Sequence, residues 1–287
     1  MTLKKLTNQK VMIMGFGWLG LPLALKLRQL GMDPIGTTTH SDKKNRIEEQ
    51  FKLSTLLFEL PLKGFEEVKA KWDQIDSLII NFPPQGSKNL NEESLHQFLE
   101  ILTLEYPTNK RLIFISSTSV FGPEQGLVNE DSTPNPQTIG GIELYQAEQM
   151  LMNNHKNLTI IRPGGLIGGE RHPIKFLAGR NDVPGGLSKV HLVFREDLID
   201  LIINLISHTE SVKHPPKIVH AFSPLKLNKA DYYESMAVKF ELKAPKFTNE
   251  KLENDTRIES LYFEKFLERQ PKSPLFFEFE SEESLLK

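Results

Sequence analysis

VMIMGFGWLGLPLAL, residues 11–25, decides the fold. VMIMG is a short apolar run of the kind that forms a buried strand, and Leu19 to Leu30 reads as a helix closed by Gly31 at its C′ position. Between them Gly15, Gly17 and Gly20 spell G-x-G-x-x-G at a strand-to-helix junction. The first glycine permits the tight turn, the second lets main chain approach a diphosphate, and the third lets helix and strand pack closely. The helix start then offers N–H groups and a positive dipole end to the phosphates. The motif is weak alone and gains weight from its place in a first βαβ unit. Gly15, Phe16, Gly17, Trp18, Leu19 and Gly20 are therefore the first candidate cofactor residues.

The same rhythm continues outward. PIGTTT (34–39) reads as the second strand, followed by a polar helical stretch, and STLLFEL (54–60) as a third. SLIINF (77–82), RLIFIS (111–116) and LTIIRP (158–163) are apolar runs of the buried parallel type, with helices expected at 91–105 and 140–153. Alternation of this kind predicts an α/β fold: a Rossmann-type doubly wound parallel sheet with its ligand beyond the carboxyl ends of the strands. After Pro163 the pattern changes. GGLIGGERHP (164–173) and FLAGRNDVPGGLSK (176–189) have loop composition, a helix is expected from Glu196 to about Ser207, and IVHAF (218–222) is one more buried strand. The remainder is helix-rich, FFEFE (276–280) alternates like a late edge strand, and SEESLLK reads as a solvated tail. The expected organisation is a dinucleotide-binding domain over 1–165, with a strand and helix near 190–225 returning to it, and a smaller C-terminal substrate-binding part over 166–287.

Composition bounds the function. The 287 residues are 39% hydrophobic and 25% charged, and 35 basic against 37 acidic side chains give a net charge of −2. No global field favours nucleic acid or an anionic membrane. Without cysteine there is no disulfide or thiolate metal site, which suits a reducing compartment. MTLKKLTNQK before the apolar run imitates a secretory leader, but the run holds three glycines and a proline, and no A-x-A-like site precedes Lys26 and Arg28. At about 15 residues it is too short to span a bilayer. The expected location is the cytoplasm, and no spacing among the eight histidines suggests a metal site.

The second strand addresses the choice of dinucleotide. NAD sites commonly place an acid about 20 residues past the glycines, on the ribose 2′-hydroxyl. Here Thr37, Thr38, Thr39 and His40 stand there, with no acid until Asp42 and with Lys43, Lys44 and Arg46 close behind. Hydroxyls and cations suit a 2′-phosphate, so NADP is favoured over NAD.

Four later segments carry a resemblance. ISSTSVFG (115–122), NEDSTPNPQT (129–138), IIRPGGLIGG (160–169) and FREDLIDLI (194–202) occur in an order that resembles the extended short-chain dehydrogenase/reductase superfamily, which includes NAD-dependent nucleotide-sugar epimerases and dehydratases. The likeness covers roughly residues 11–225. It implies that Ser117 matches the family's catalytic Ser/Thr, that Asn81, Phe82 and Pro83 line the cofactor after the fourth strand, and that the loop of Arg162, Pro163 and Gly164 lies beside the nicotinamide; Ser116 is a further cofactor-binding candidate. Phe121 replaces the usual tyrosine of the first segment, and Phe194 replaces the histidine of the last. The glycine spacing would also suit a hydroxyacid dehydrogenase, against which stand the SSTSVFG segment and the lack of a long all-helical second domain.

The family's Tyr-x-x-x-Lys pair is missing. Anchored on Pro136 and Glu148, the tyrosine falls on Gly140 and the lysine on Leu144. Tyr145 sits one residue away, about 100° around a helix, and Gln149 brings it no charge. A phenol with a pKa near 10 costs roughly 4 kcal/mol to ionise at pH 7. These departures, with RHPIKFLAGR (171–180), resemble an atypical YeeZ-like subgroup that keeps the fold and the serine. Catalytic candidates are Ser117, Tyr145 and His172, the last because a free imidazole titrates near neutrality. Thr118, Ser119, Arg171 and Arg180, with Lys189, are candidates for holding a sugar or an anionic carbonyl substrate. Two readings follow: an oxidoreductase or epimerase with a displaced acid/base, or a dinucleotide-binding sensor or scaffold that has lost catalysis.

Overall fold

The computed structural model describes residues 8–82, 93–207, 215–248 and 255–280. In chain order its elements are β1 (Lys10–Met14), α1 (Gly20–Gln29), β2 (Asp33–Thr38), α2 (Ser41–Phe51), β3 (Ser54–Leu57), α3 (Phe65–Lys69), β4 (Ser77–Ile80), α4 (Glu93–Glu105) and β5 (Arg111–Ile115). There follow β6 (Leu127–Val128), α5 (Ile139–Asn154), β7 (Leu158–Pro163), β8 (Gly165–Ile167), α6 (Ile174–Leu177), β9 (Leu192–Phe194), α7 (Arg195–Ser207), β10 (Ile218–Ala221), α8 (Lys229–Lys239), β11 (Arg257–Ile258) and α9 (Phe263–Leu267). The chain forms two compact units. The first takes the described residues of 1–116, 139–161 and 202–218, and the second those of 117–138, 162–201 and 219–287.

The sheet has seven strands in the order β10-β7-β5-β4-β1-β2-β3, the parallel doubly wound arrangement expected from the alternating pattern. Its central strands read as largely apolar runs because both faces are covered: β4 and β7 are buried at every position. From β1 the chain winds outward through β2 and β3, then crosses back to β4 on the other side of β1. The carboxyl ends of β1 and β4 thus flank the point where winding reverses, the place where such sheets bind ligands. α1 ends as its sequence predicts. Gly31 takes φ 84°, its N–H donates to the Arg28 carbonyl, and Met32 N–H donates to that of Leu27.

The second unit has its own core of Ile167, Ile174, Leu192, Phe194, Tyr232 and Phe277, with two short parallel ladders, β8 with β9 and β11 with β6. Phe194, where the resemblance expects histidine, belongs to that core. FFEFE corrects the sequence reading. Pro274–Phe276 is a 3-10 turn and residues 277–280 join no ladder, although the alternation is real: Phe277 is fully buried while Glu278 and Glu280 face solvent. The period came from packing on one side of an extended segment, without a neighbouring strand to pair with. The tail SEESLLK lies outside the described residues. Among those residues no helix is long and apolar enough to cross a membrane.

Candidate functional site

The turn from β1 to α1 is held from three sides within the first unit. Gly15 adopts φ +105°, its N–H donates to Thr37 Oγ1 at 2.9 Å, and Phe16 N–H donates to the Thr37 carbonyl at 2.7 Å. Asn81 Nδ2 donates to the Gly15 carbonyl at 3.4 Å. A Cβ on Gly15 would lie 2.7 Å from the Asn81 carbonyl oxygen, and one on Gly20 only 2.0 Å from that of Gly15. Those two glycines are demanded by the protein itself. Gly17 is not: a Cβ there meets nothing within 4 Å. Its open side is what a diphosphate lying on main-chain amides requires. The Leu19 N-cap gives α1 no side-chain cap, and the first turn carries no acid to compete for the positive dipole end. These residues fit a dinucleotide.

Two of the predicted side chains are turned inward. Phe16 is 1% exposed, and its ring covers Gly36, where a Cβ would lie 2.0 Å from Phe16 Cε1. Phe16 can therefore serve a ligand only through main chain. Thr37 is buried and its oxygen accepts from Gly15, so it shapes the turn rather than presenting a hydroxyl to a 2′-phosphate. Thr38 ends β2, with Thr39 and His40 exposed beyond it. Asn81 and Phe82 follow β4, half-buried, with Phe82 packed on Phe58 and Phe98, while Pro83 lies outside the described residues. Ser116 at the end of β5 donates to Glu148 Oε1 at 2.6 Å and ties that strand to α5. Glu148 is wholly buried, a role that its match to the family pattern did not disclose.

On α5, Tyr145 is half-buried and Leu144 is buried, 6% exposed. A Cβ on Gly140 meets nothing within 4 Å. The position aligned with the family tyrosine is thus open, and the one aligned with the lysine is apolar.

In the second unit Ser117 caps the 3-10 turn Thr118–Val120, its oxygen accepting Ser119 N–H at 3.0 Å, and Thr118 Oγ1 donates to the Pro163 carbonyl at 3.3 Å. Ser119 is exposed. Arg162 corrects the sequence reading, because its side chain is 1% exposed and serves a buried network. The guanidinium lies 5.2 Å over the Phe121 ring and 3.4 Å from His220 Nε2. His220 Nδ1 donates to the Glu259 carbonyl, which leaves Nε2 as acceptor and the ring neutral; burial chiefly holds its pKa below the usual value. Glu130 completes the network, accepting from His220 N–H, Ser260 Oγ and Leu261 N–H. Gly164 packs on the His191 carbonyl, where a Cβ would sit at 2.5 Å.

His172, a predicted acid/base, is fully buried in an aromatic cluster with the Phe277 ring 4.6 Å away. Ile174 N–H donates to Nδ1 at 3.1 Å, so Nε2 carries the proton and donates to Tyr232 OH at 2.9 Å, which passes its own to the Pro274 carbonyl. Burial pushes the imidazole pKa down to about 4. With both nitrogens engaged and no exposure it is a structural residue. Arg171 and Arg180 reach solvent from the loops after β8 and α6. Among the described residues no group of three or more His, Cys, Asp or Glu side chains gathers as a metal site.

No family model matches the chain. It is 34% identical over 248 residues to Protein YeeZ of Escherichia coli strain K12, an alignment covering 84% of this chain and 87% of that protein. Among solved structures, UDP-glucuronic acid 4-epimerase from Bacillus cereus in complex with NAD superposes with a TM-score of 0.72 at 17% identity, covering 97% of this chain and 96% of that one. MoeE5 in complex with UDP-glucose and NAD gives 0.67 at 15% identity, covering 93% and 94%. At such identities the structural likeness speaks to fold alone.

Proposed function

Because this chain belongs to one family with Protein YeeZ and its segments resemble the extended short-chain dehydrogenase/reductase superfamily, we propose that it is a nicotinamide-dinucleotide-dependent oxidoreductase or epimerase acting on a small carbonyl compound or nucleotide sugar. The observation that carries this reading is the open side of Gly17 at an uncapped helix start, in a turn whose other two glycines are fixed by contacts within the protein. Complexes of two structurally similar proteins with NAD, one also holding UDP-glucose, support the ligand class.

Gly15 to Gly20 would hold the diphosphate on main-chain N–H groups. Thr38, Thr39 and His40, followed by Lys43, Lys44 and Arg46, would meet the adenosine ribose, a set that favours NADP over NAD. In the first unit Asn81, Phe82 and Ser116 are the further cofactor candidates; in the second the resemblance assigns Arg162, Pro163 and Gly164, of which Arg162, its side chain buried, could act only through main chain. A nicotinamide held there would supply hydride exchange with a substrate carbon. Because the Ser117 oxygen accepts Ser119 N–H, its own proton remains to donate to a substrate carbonyl or hydroxyl. Thr118, Ser119, Arg171 and Arg180 would hold the substrate's polar groups. Proton transfer falls to Tyr145, with Gln149 one turn on supplying a dipole but no charge.

A second reading, a dinucleotide sensor or scaffold without turnover, draws support from the open Gly140 and the buried Leu144. Thermal unfolding with NADPH and NADH tests both: at 100 times Kd a ligand stabilises by about 2.7 kcal/mol. Absence of any shift at millimolar dinucleotide refutes both readings. With a substrate in hand, Ser117→Ala should abolish turnover and keep the shift, and unchanged turnover in Tyr145→Phe removes that phenol from the chemistry. Retained dinucleotide binding with no oxidation or reduction across carbonyl and sugar panels selects the sensor.

A further inference from the structure

The second unit contains a cavity of about 970 Å³, near the upper end of the range for small-molecule sites. One wall is an antiparallel pairing of the chain entering β9 with the segment after β10: Lys189 bridges Asn228, Leu192 bridges Ser223, and Val190 N–H donates to the Leu227 carbonyl. Side chains alternate across such a ladder. Val190 and Leu192, with Leu225 and Leu227, turn to the core. Lys189, His191, Pro224 and Lys226 alternate with them and line the cavity, to which Val190 and Leu225 also contribute. The other wall comes from β11 and the residues that follow, bringing Arg257 and Lys265.

Charge and surface character are both defined. Four cations, Lys189, Lys226, Arg257 and Lys265, line the space against two acids, Glu259 and Glu264. Among the described residues none of the four forms an ion pair, although Lys189 Nζ donates to the Lys226 carbonyl at 2.6 Å. The lining also includes Phe222, its ring 4.8 Å from that of His191 and nearly perpendicular to it. Cations brought together from two separate stretches of chain suit a dianion, since one carboxylate engages at most two of them well, and a cleft with a net excess of positive charge concentrates such ligands.

We propose that this cavity binds a small organic phosphate, its dianionic group held between Lys226 and Arg257 and its apolar, ring-sized body against Phe222 and His191. This goes beyond the dinucleotide reading and does not depend on it, because every lining residue belongs to the second unit.

Calorimetry with phenyl phosphate, inorganic phosphate and benzoate, in the absence of dinucleotide, tests the proposal on the full chain. Phenyl phosphate should bind, and both inorganic phosphate and benzoate should bind at least about tenfold more weakly, each lacking one half of the recognition. Lys226→Ala with Arg257→Ala, both at exposed positions, should weaken phenyl phosphate by on the order of tenfold or more while leaving the NADPH-induced thermal shift unchanged. No binding of phenyl phosphate at millimolar concentration overturns the proposal. So does binding that the double substitution leaves intact, or equal affinity for the three probes.

Discussion

His172 offers a measurable pH signature. Its imidazole carries one proton in the folded protein, with Ile174 N–H on Nδ1 and Tyr232 OH on Nε2, and has no solvent exposure. Its pKa falls from 6.5 to about 4 on folding, because burial penalises the charged form. A group depressed on folding contributes its full stability above its unfolded pKa and loses it as pH falls towards the folded one, here from 6.5 towards 4. The unfolded chain takes up a proton across that window while the native chain does not. Between pH 7.5 and pH 5 the loss from this single group is about 2 kcal/mol. Urea denaturation of the wild-type protein and of His172→Phe at the two pH values isolates it, since the other histidines titrate in both. The difference in unfolding free energy, wild type minus variant, should fall by about 2 kcal/mol on acidification. A difference that stays constant between pH 7.5 and 5 would mean that the ring reaches solvent or a carboxylate, and would return His172 to the list of proton carriers.

Two further substitutions probe the framework. Gly20→Ala places a methyl 2.0 Å from the Gly15 carbonyl oxygen, a main-chain atom with nowhere to go. It should cost about 1–3 kcal/mol in chemical denaturation and abolish dinucleotide-induced stabilisation, whereas Gly17→Ala, into open space, should affect binding with little change in stability. Glu130→Ala removes three accepted hydrogen bonds from a buried cluster, and a loss of about 3 kcal/mol or more in unfolding free energy is expected, with Glu130→Gln recovering part of it.

The sheet could be read in advance because each strand announces itself locally: VMIM, SLII, RLIFI and LTIIRP are short, predominantly apolar runs, and glycines stand where the first strand turns. Thr37 could not. A threonine at the end of the second strand looks the same whether its hydroxyl awaits a ribose or accepts from Gly15, and only the parallel pairing of β1 with β2 decides. Arg162 and Glu130 share that difficulty, since Glu130 meets partners 90 and 131 residues further along the chain. The cavity of the second unit was hidden for a related reason. Lys189 and Lys226 come to one wall only through the pairing of 189–192 with 223–228, a register that no local pattern encodes. His172 misled because histidine is a frequent proton carrier and its segment has loop composition, whereas its burial comes from partners distant in sequence, Tyr232 and Phe277.

The phenyl ring of Phe16 lying over Gly36 sets a boundary for anyone who would redesign cofactor preference in this protein. Thr39 and His40, both exposed, leave room for exchange in any attempt to trade one ribose for another, whereas Thr38 is buried at the end of β2. Position 36 cannot accept even a methyl group unless Phe16 is shortened in the same step, so the two must be varied as a linked pair in any library.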